Sequence, residues 1–282
     1  MTHTMSLPKP TSDSTVLVTG ASSGIGTELA RELARRGYNV TLVARREPLL
    51  RELADELHGD HGVRADIHVT DLIDRDDRAK LVSALLVGQL DVVGVCNNAG
   101  YGSVGRFADL PLERERSMVE LNVVTLHELT RAFVGPMVER GAGAILNLAS
   151  TASFQPVPGL ATYAATKAFV ASFSEAIHEE LSGTGVSVTS LCPGPTHTEF
   201  GERAGVGGLV ESAPEFIYSR APDVARQGVD AMVSGRRSVI PGLSNKASAF
   251  GGRFVPRSLL LPALGRLGGA RLASAASEKA AG

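Results

Sequence analysis

The chain has 282 residues and a formal net charge of −2, with 28 lysines and arginines interspersed among 30 aspartates and glutamates. Its length allows one large α/β domain or two smaller ones, and the balanced charge lacks the basic field that nucleic acid requires. Two cysteines, Cys96 and Cys192, are too few for a disulfide framework, and no apolar run approaches the ~20 residues that span a bilayer; a cytoplasmic protein without a transmembrane segment is expected.

Met1 to Ser12 is polar, contains Pro8 and Pro10, and reads as a disordered leader (residues 1–13) rather than a signal peptide. Residues 15–19 form a short apolar strand, followed by the glycine-rich turn Gly20-Ala21-Ser22-Ser23-Gly24-Ile25-Gly26 and a helical pattern with Leu29, Leu33 and Ala34 on one face. Strands are expected at 39–43, 65–69, 91–96, 144–149, 186–191 and 238–240. Helices are expected at 48–57, 75–86, 113–140, from about Thr162, and at 223–234. This alternation argues for a parallel sheet covered by helices on both faces, in one domain over 14–242. Residues 194–220 are rich in Gly, Pro, Thr and Ser, and a loop that long in a compact domain serves function or motion. The tail, 243–282, mixes leucines and phenylalanines with arginines, and Pro256 and Pro262 prevent one continuous helix.

The strand at 144–149 delivers Ser150 at its C-terminal edge. After the loop Phe154 to Gly159, Tyr163 and Lys167 fall four residues apart on one helix face. A hydroxyl, a phenol and an ammonium converge there, which is a proton-transfer set in need of a reaction partner. The glycine turn offers one. Glycines let the backbone approach a pyrophosphate, and a helix N-terminus presents N–H groups to it. At the end of the second strand the chain reads Ala44-Arg45-Arg46, where NAD-binding folds place a carboxylate for the ribose 2′-hydroxyl. Arginine there suits a 2′-phosphate through charge-assisted hydrogen bonds, so NADP(H) is expected over NAD(H). Asp71, ending the third strand, either accepts from the adenine amine or caps the following helix.

Together, Thr19-Gly20-Ala21-Ser22-Ser23-Gly24-Ile25-Gly26, Asn97-Asn98-Ala99-Gly100, Ser150, Tyr163-x3-Lys167 and Pro193-Gly194 resemble the ordered motif set of the classical short-chain dehydrogenases/reductases over about 14–242. The resemblance implies a Rossmann-type three-layer αβα sandwich with a seven-stranded parallel sheet. It implies that Tyr163 is the general acid/base, that Ser150 hydrogen-bonds the substrate carbonyl, and that Lys167 binds the nicotinamide ribose and depresses the tyrosine pKa. Asn122 matches the family's fourth catalytic residue, which holds a water in a relay to the lysine. Asn98, with Ala99 and Gly100, matches positions lining the cofactor site, and Asp71-Leu72 matches its adenine end. Pro193, Gly194, Thr196 and Thr198 match the loop that meets the nicotinamide carboxamide. Pairing into homodimers or homotetramers, through the 113–140 helix and the Tyr163 helix, is also implied.

Physical chemistry supports these roles. Free tyrosine titrates near ~10, and an adjacent ammonium favours its phenolate. A carbonyl oxygen gaining negative charge during hydride transfer is stabilised by Ser150 and Tyr163. The reading is therefore an oxidoreductase acting on a small to medium, fairly apolar carbonyl/alcohol pair. The alternative is a non-catalytic dinucleotide-binding regulator or scaffold. His58-x2-His61 lacks a third ligand, so no metal is expected. The family topology puts Cys96 and Cys192 two strand widths apart, about 9–10 Å, too far for a disulfide. For the tail, packing on the domain or on a neighbouring subunit is favoured over peripheral membrane contact.

Overall fold

Seven short runs, most of them rich in valine, isoleucine and leucine, form one sheet: β1 (Ser14–Thr19), β2 (Asn39–Ala44), β3 (Ala65–Val69), β4 (Asp91–Asn97), β5 (Gly143–Leu148), β6 (Val186–Leu191) and β7 (Ser238–Val239). In this computed structural model residues 6–199 and 218–254 are described, with 257–258, 260–262 and 264–266. All strand pairs are parallel, in the order β3-β2-β1-β4-β5-β6-β7. The winding direction reverses between β1 and β4, and a crevice outside the carboxyl ends of strands at such a point is where ligands bind in open α/β sheets. The expected Rossmann-type sandwich is thus observed.

The helices are α1 (Gly24–Arg35), α2 (Glu47–His61), α3 (Arg75–Leu86), α4 (Leu112–Val119), α5 (Leu126–Arg140), α6 (Ala161–Glu180), α7 (Ala221–Val233) and α8 (Leu243–Phe254). Alternating side chains along each strand send residues to opposite faces. Val16 and Val18 pack with Leu29 and Leu33 of α1 and Val229 and Met232 of α7. Leu17, between them, joins Leu129, Phe133 and Met137 of α5 on the other face.

One expectation is corrected. The leader is not free from Ser6 onward. Leu7 is fully buried, Ser6 donates its hydroxyl to the Gly143 carbonyl at 2.9 Å, and the Tyr38 hydroxyl donates to the Pro8 carbonyl at 2.9 Å. Hydrophobic and backbone contacts dock this segment across the N-terminal ends of the strands, which its polar, proline-containing composition concealed. The helical stretch expected at 113–140 is continuous but not uniform. A π-helical segment, Glu120–Thr125, separates α4 from α5, and such widened turns recur at functional sites. Arg78 of α3, almost wholly buried, clamps this segment through Glu120 at 2.8 Å and the first turn of α5 through Glu128 at 2.9 Å.

Candidate active site

The glycine turn leaves β1 with Gly20 at φ +66°, a left-handed conformation that favours glycine. Gly26 is required by space, because a Cβ there would lie 2.2 Å from the Gly20 carbonyl oxygen and 2.4 Å from Asn98 Nδ2. Asn98, just beyond β4, holds the turn by donating from Nδ2 to the carbonyls of Thr19 at 2.9 Å and Gly20 at 3.3 Å. The Thr19 hydroxyl accepts the N–H groups of Asn98 and Ala99, both at 3.0 Å. Ser23 caps α1 without a side-chain hydrogen bond, and no acid stands in the first turn. The leading N–H groups of the helix, including those of Ile25 and Gly26, are therefore not supplied with an anion by the chain's own caps, which fits a pyrophosphate.

At the end of β2, Arg45 is exposed and lies 3.8 Å from the Asp71 carboxylate. Arg46 donates to the Ser22 hydroxyl at 3.2 Å, to the Ser22 carbonyl at 2.9 Å and to Glu199 at 3.1 Å. Of the two readings of Asp71, helix capping is taken by another residue. Asp74 accepts from the Asp76 and Asp77 N–H groups at 2.9 Å, while Asp71 accepts from Ile73 N at 3.1 Å. Leu72 is buried, and its carbonyl accepts from Arg78 and from the Thr125 hydroxyl, each at 2.8 Å.

Ser150 follows β5 in extended conformation and starts a 3-10 turn, Thr151–Phe154. Its hydroxyl accepts from Ala152 N at 3.1 Å and is near enough to the Tyr163 phenol to favour its ionised form. Withdrawal from solvent pushes Tyr163 up to about 12, the Ser150 hydroxyl pulling the other way. Lys167 is buried, donates to the Leu148 carbonyl at 2.7 Å and lies 5.8 Å from the centre of the Tyr163 ring. Burial lowers its ammonium to about 8. The expected depression of the tyrosine by this lysine is not what dominates in the free chain; desolvation is larger. A Cβ on Gly100 would stand 2.8 Å from Asn122 Oδ1 and 3.5 Å from Lys167 Nζ, so this glycine keeps space open beside the lysine.

Asn122 sits in the π-helical segment with both polar atoms of its side chain hydrogen-bonded. Its Nδ2 donates to the Tyr101 carbonyl at 2.9 Å and to Thr166 at 3.1 Å, and its Oδ1 accepts from Tyr101 N at 3.1 Å. Thr166 is therefore a link between Asn122 and the Tyr163 helix that spacing did not single out. A second buried chain runs from Asn97 to Asn147 at 2.9 Å and on to Ser174 at 3.0 Å, tying β4 and β5 to α6. The polar Asn147 inside an apolar strand was the available signal for it.

After β6, the Pro193 carbonyl accepts from Thr151 N at 2.9 Å, and Gly194 is packed under Asn245 of α8, whose Oδ1 would be 2.2 Å from a Cβ. Asn245 also donates to the Ser219 hydroxyl at 3.3 Å and the Pro241 carbonyl at 2.9 Å. Nothing in the sequence marked this asparagine. The Thr196 hydroxyl donates to the Gly194 carbonyl at 3.0 Å. Thr198 lies against Gly24, 3.0 Å from where a Cβ would be, so the segment after β6 crosses to the glycine turn. A cavity of about 690 Å³ opens beside that crossing, lined by Ser22, Ser23, Thr27, Thr198 and Arg220 among others. Most of the expected loop, 200–217, lies outside the described residues. The start of the tail packs on the domain: Ala249 of α8 is buried with Ala149, Val170 and Cys192.

The chain is similar to known proteins in sequence and in fold. The chain is 37% identical to the very-long-chain 3-oxoacyl-CoA reductase of Anas platyrhynchos over 181 residues, covering 63% of this chain and 58% of that one. It is 39% identical to sulfoacetaldehyde reductase 2 of Chromohalobacter salexigens over 189 residues, covering 66% and 73%. Among solved structures, a short-chain dehydrogenase from Sphingobium yanoikuyae in complex with NADPH superposes with a TM-score of 0.77 at 33% identity, covering 88% of this chain and 95% of that one. The sequence model of the short chain dehydrogenases matches residues 14–205. With its motifs assembled on the matching sheet, this chain belongs to the short-chain dehydrogenase family of oxidoreductases.

Proposed function

We propose that this chain is an NADP(H)-dependent oxidoreductase that interconverts a carbonyl and an alcohol, with Tyr163 as general acid/base. The observation that carries the reading is the placement of the Ser150 hydroxyl, which acts on the Tyr163 phenol, beside the buried Lys167, at the carboxyl edge where the glycine turn opens. When bound, the cofactor supplies or takes up the hydride. Ser150 and Tyr163 present two hydroxyls to one substrate oxygen, and Tyr163 gives its proton to that oxygen as negative charge develops.

Lys167 spends one of its three N–H donors on Leu148, leaving two for the nicotinamide ribose. Protonated there, it also lowers the cost of forming phenolate. Because the Asn122 side chain is committed to Tyr101 and Thr166, a relay water falls to its main-chain carbonyl. Gly20 to Gly26 cradle the pyrophosphate; Asp71, Leu72 and Asn98 to Gly100 border the adenosine; and Pro193, Gly194, Thr196 and Thr198 face the nicotinamide.

NADP(H) is preferred on the two arginines Arg45 and Arg46 after Ala44, with no acid at the end of β2. The NADPH bound to the Sphingobium protein accords with this. The two relatives are named for reducing a 3-oxoacyl-CoA and sulfoacetaldehyde, chemically distant substrates that share a carbonyl. For this chain we favour a small to medium, fairly apolar one. Homodimers or homotetramers would use the exposed Phe169 and Val138 on α6 and α5. No helix among the described residues is long and apolar enough to cross a membrane, and the two unpaired cysteines suit a cytoplasmic setting. Tyr163→Phe is the test: turnover of every carbonyl accepted by the parent is lost while NADPH still binds. Undiminished turnover would refute the assignment.

A further inference from the structure

The guanidinium of Arg46 bridges two walls of the dinucleotide cleft. Its Nε and Nη2 are fixed on Ser22 of the glycine turn, at 3.2 Å and 2.9 Å. Its Nη1 reaches the Glu199 carboxylate at 3.1 Å, on the segment that leaves β6. Carboxylate and phosphate oxygens seek the same paired donors of a guanidinium. The Arg46 side chain is 33% exposed and that of Glu199 45%, so an incoming anion can reach this pair. Arg45, in contrast, stands 3.8 Å from Asp71 and is 65% exposed.

We propose that Glu199 is an internal competitor for the 2′-phosphate at Arg46, and that it sets how strongly the chain discriminates NADP(H) from NAD(H). The proposal rests on the NADP(H) reading of Arg45 and Arg46. To take a 2′-phosphate, Arg46 must give up or share the Glu199 carboxylate, and two like charges then meet at one cation. NADH brings only a hydroxyl to that position and leaves the pair intact. Loss of the Glu199 charge therefore favours the phosphorylated cofactor alone.

The experiment measures dissociation constants of NADPH and NADH by nicotinamide fluorescence, at low and at high salt, for the parent chain, Glu199→Gln, Arg45→Ala, Arg46→Ala and the Arg46→Ala/Glu199→Gln pair. Glu199→Gln tightens NADPH about threefold or more and leaves NADH unchanged, an effect on the scale of an exposed ion pair. The gain shrinks at high salt and disappears when Arg46 is already alanine. If Arg45→Ala or Arg46→Ala weakens NADPH but Glu199→Gln leaves the NADPH-to-NADH ratio unchanged or lowers it, the competitor role is overturned and the NADP(H) reading stands. A gain that persists undiminished without Arg46 also overturns it, since Glu199 would then act on the phosphate directly. If the parent shows no preference and neither arginine matters, the NADP(H) reading fails and this proposal with it.

Discussion

Lys167 donates its ammonium to the main-chain carbonyl of Leu148 at 2.7 Å, so the end of β5, not Tyr163, is what holds the buried cation in place. Lysine and tyrosine remain 5.8 Å apart, measured from Nζ to the ring centre, and burial moves both toward their neutral forms. The ammonium falls to about 8 and the phenol rises to about 12.

This arrangement makes Lys167 a cost to folding. Its native pKa of about 8 lies below its ordinary 10.5, so between these values the unfolded chain binds more protons and stability rises with pH. Below that window the penalty is present in full. Lys167→Met is expected to raise the unfolding free energy at about pH 7 by about 1–2 kcal/mol, the lost bond to Leu148 offsetting part of the gain. It should also flatten the rise toward pH ~10. Urea titrations of both chains across that range check it, and a destabilised variant would contradict the argument.

The hydroxyls around Tyr163 separate by role. Ser150→Ala removes the hydroxyl that lowers Tyr163, so the phenol titrates higher still in ultraviolet difference spectra, and turnover falls about 10²-fold or more. Ser153 instead donates to the Lys167 carbonyl at 2.8 Å. Ser153→Ala should cost about 1 kcal/mol of stability and keep most of the turnover. Equal kinetic damage from both changes would show that the two hydroxyls had been wrongly distinguished.

The glycine turn predicts a contrast between two glycines. Gly26→Ala forces a methyl to within 2.2 Å of the Gly20 carbonyl oxygen; the turn must shift, costing about 1–3 kcal/mol and at least tenfold in NADPH affinity. Gly59, inside α2, would meet nothing within 4 Å, and Gly59→Ala should stabilise by about 0.5–1 kcal/mol through helix propensity. Thermal unfolding and cofactor titration of the two variants test the pair.

The docked N-terminal segment is testable by one truncation of volume. Leu7 is fully buried and lies against Gly94, where a Cβ would be 2.9 Å from Leu7 Cδ1. Leu7→Ala should cost about 2–5 kcal/mol of unfolding free energy. A change no larger than that of an exposed position would mean that the segment is not held in solution.

What the sequence determined by itself was local. Alternation of apolar runs announced the strands, glycines announced the first turn, and the spacing of Tyr163 and Lys167 put them on one helix face. Each depends on dihedral preference or on residues a few positions apart, so motif order was enough to reach the fold and to name Ser150, Tyr163, Lys167 and Asn122 as candidates. Tertiary structure decided what depends on burial and on contacts between distant positions. It docked Leu7, widened the 113–140 helix around Asn122, placed Asn245 under Gly194 and joined Arg46 to Glu199. It also set the balance at Tyr163, where desolvation outweighs the pull of the Ser150 hydroxyl. Loss of water around a group depends on every element packed against it, and no spacing along one chain segment encodes that.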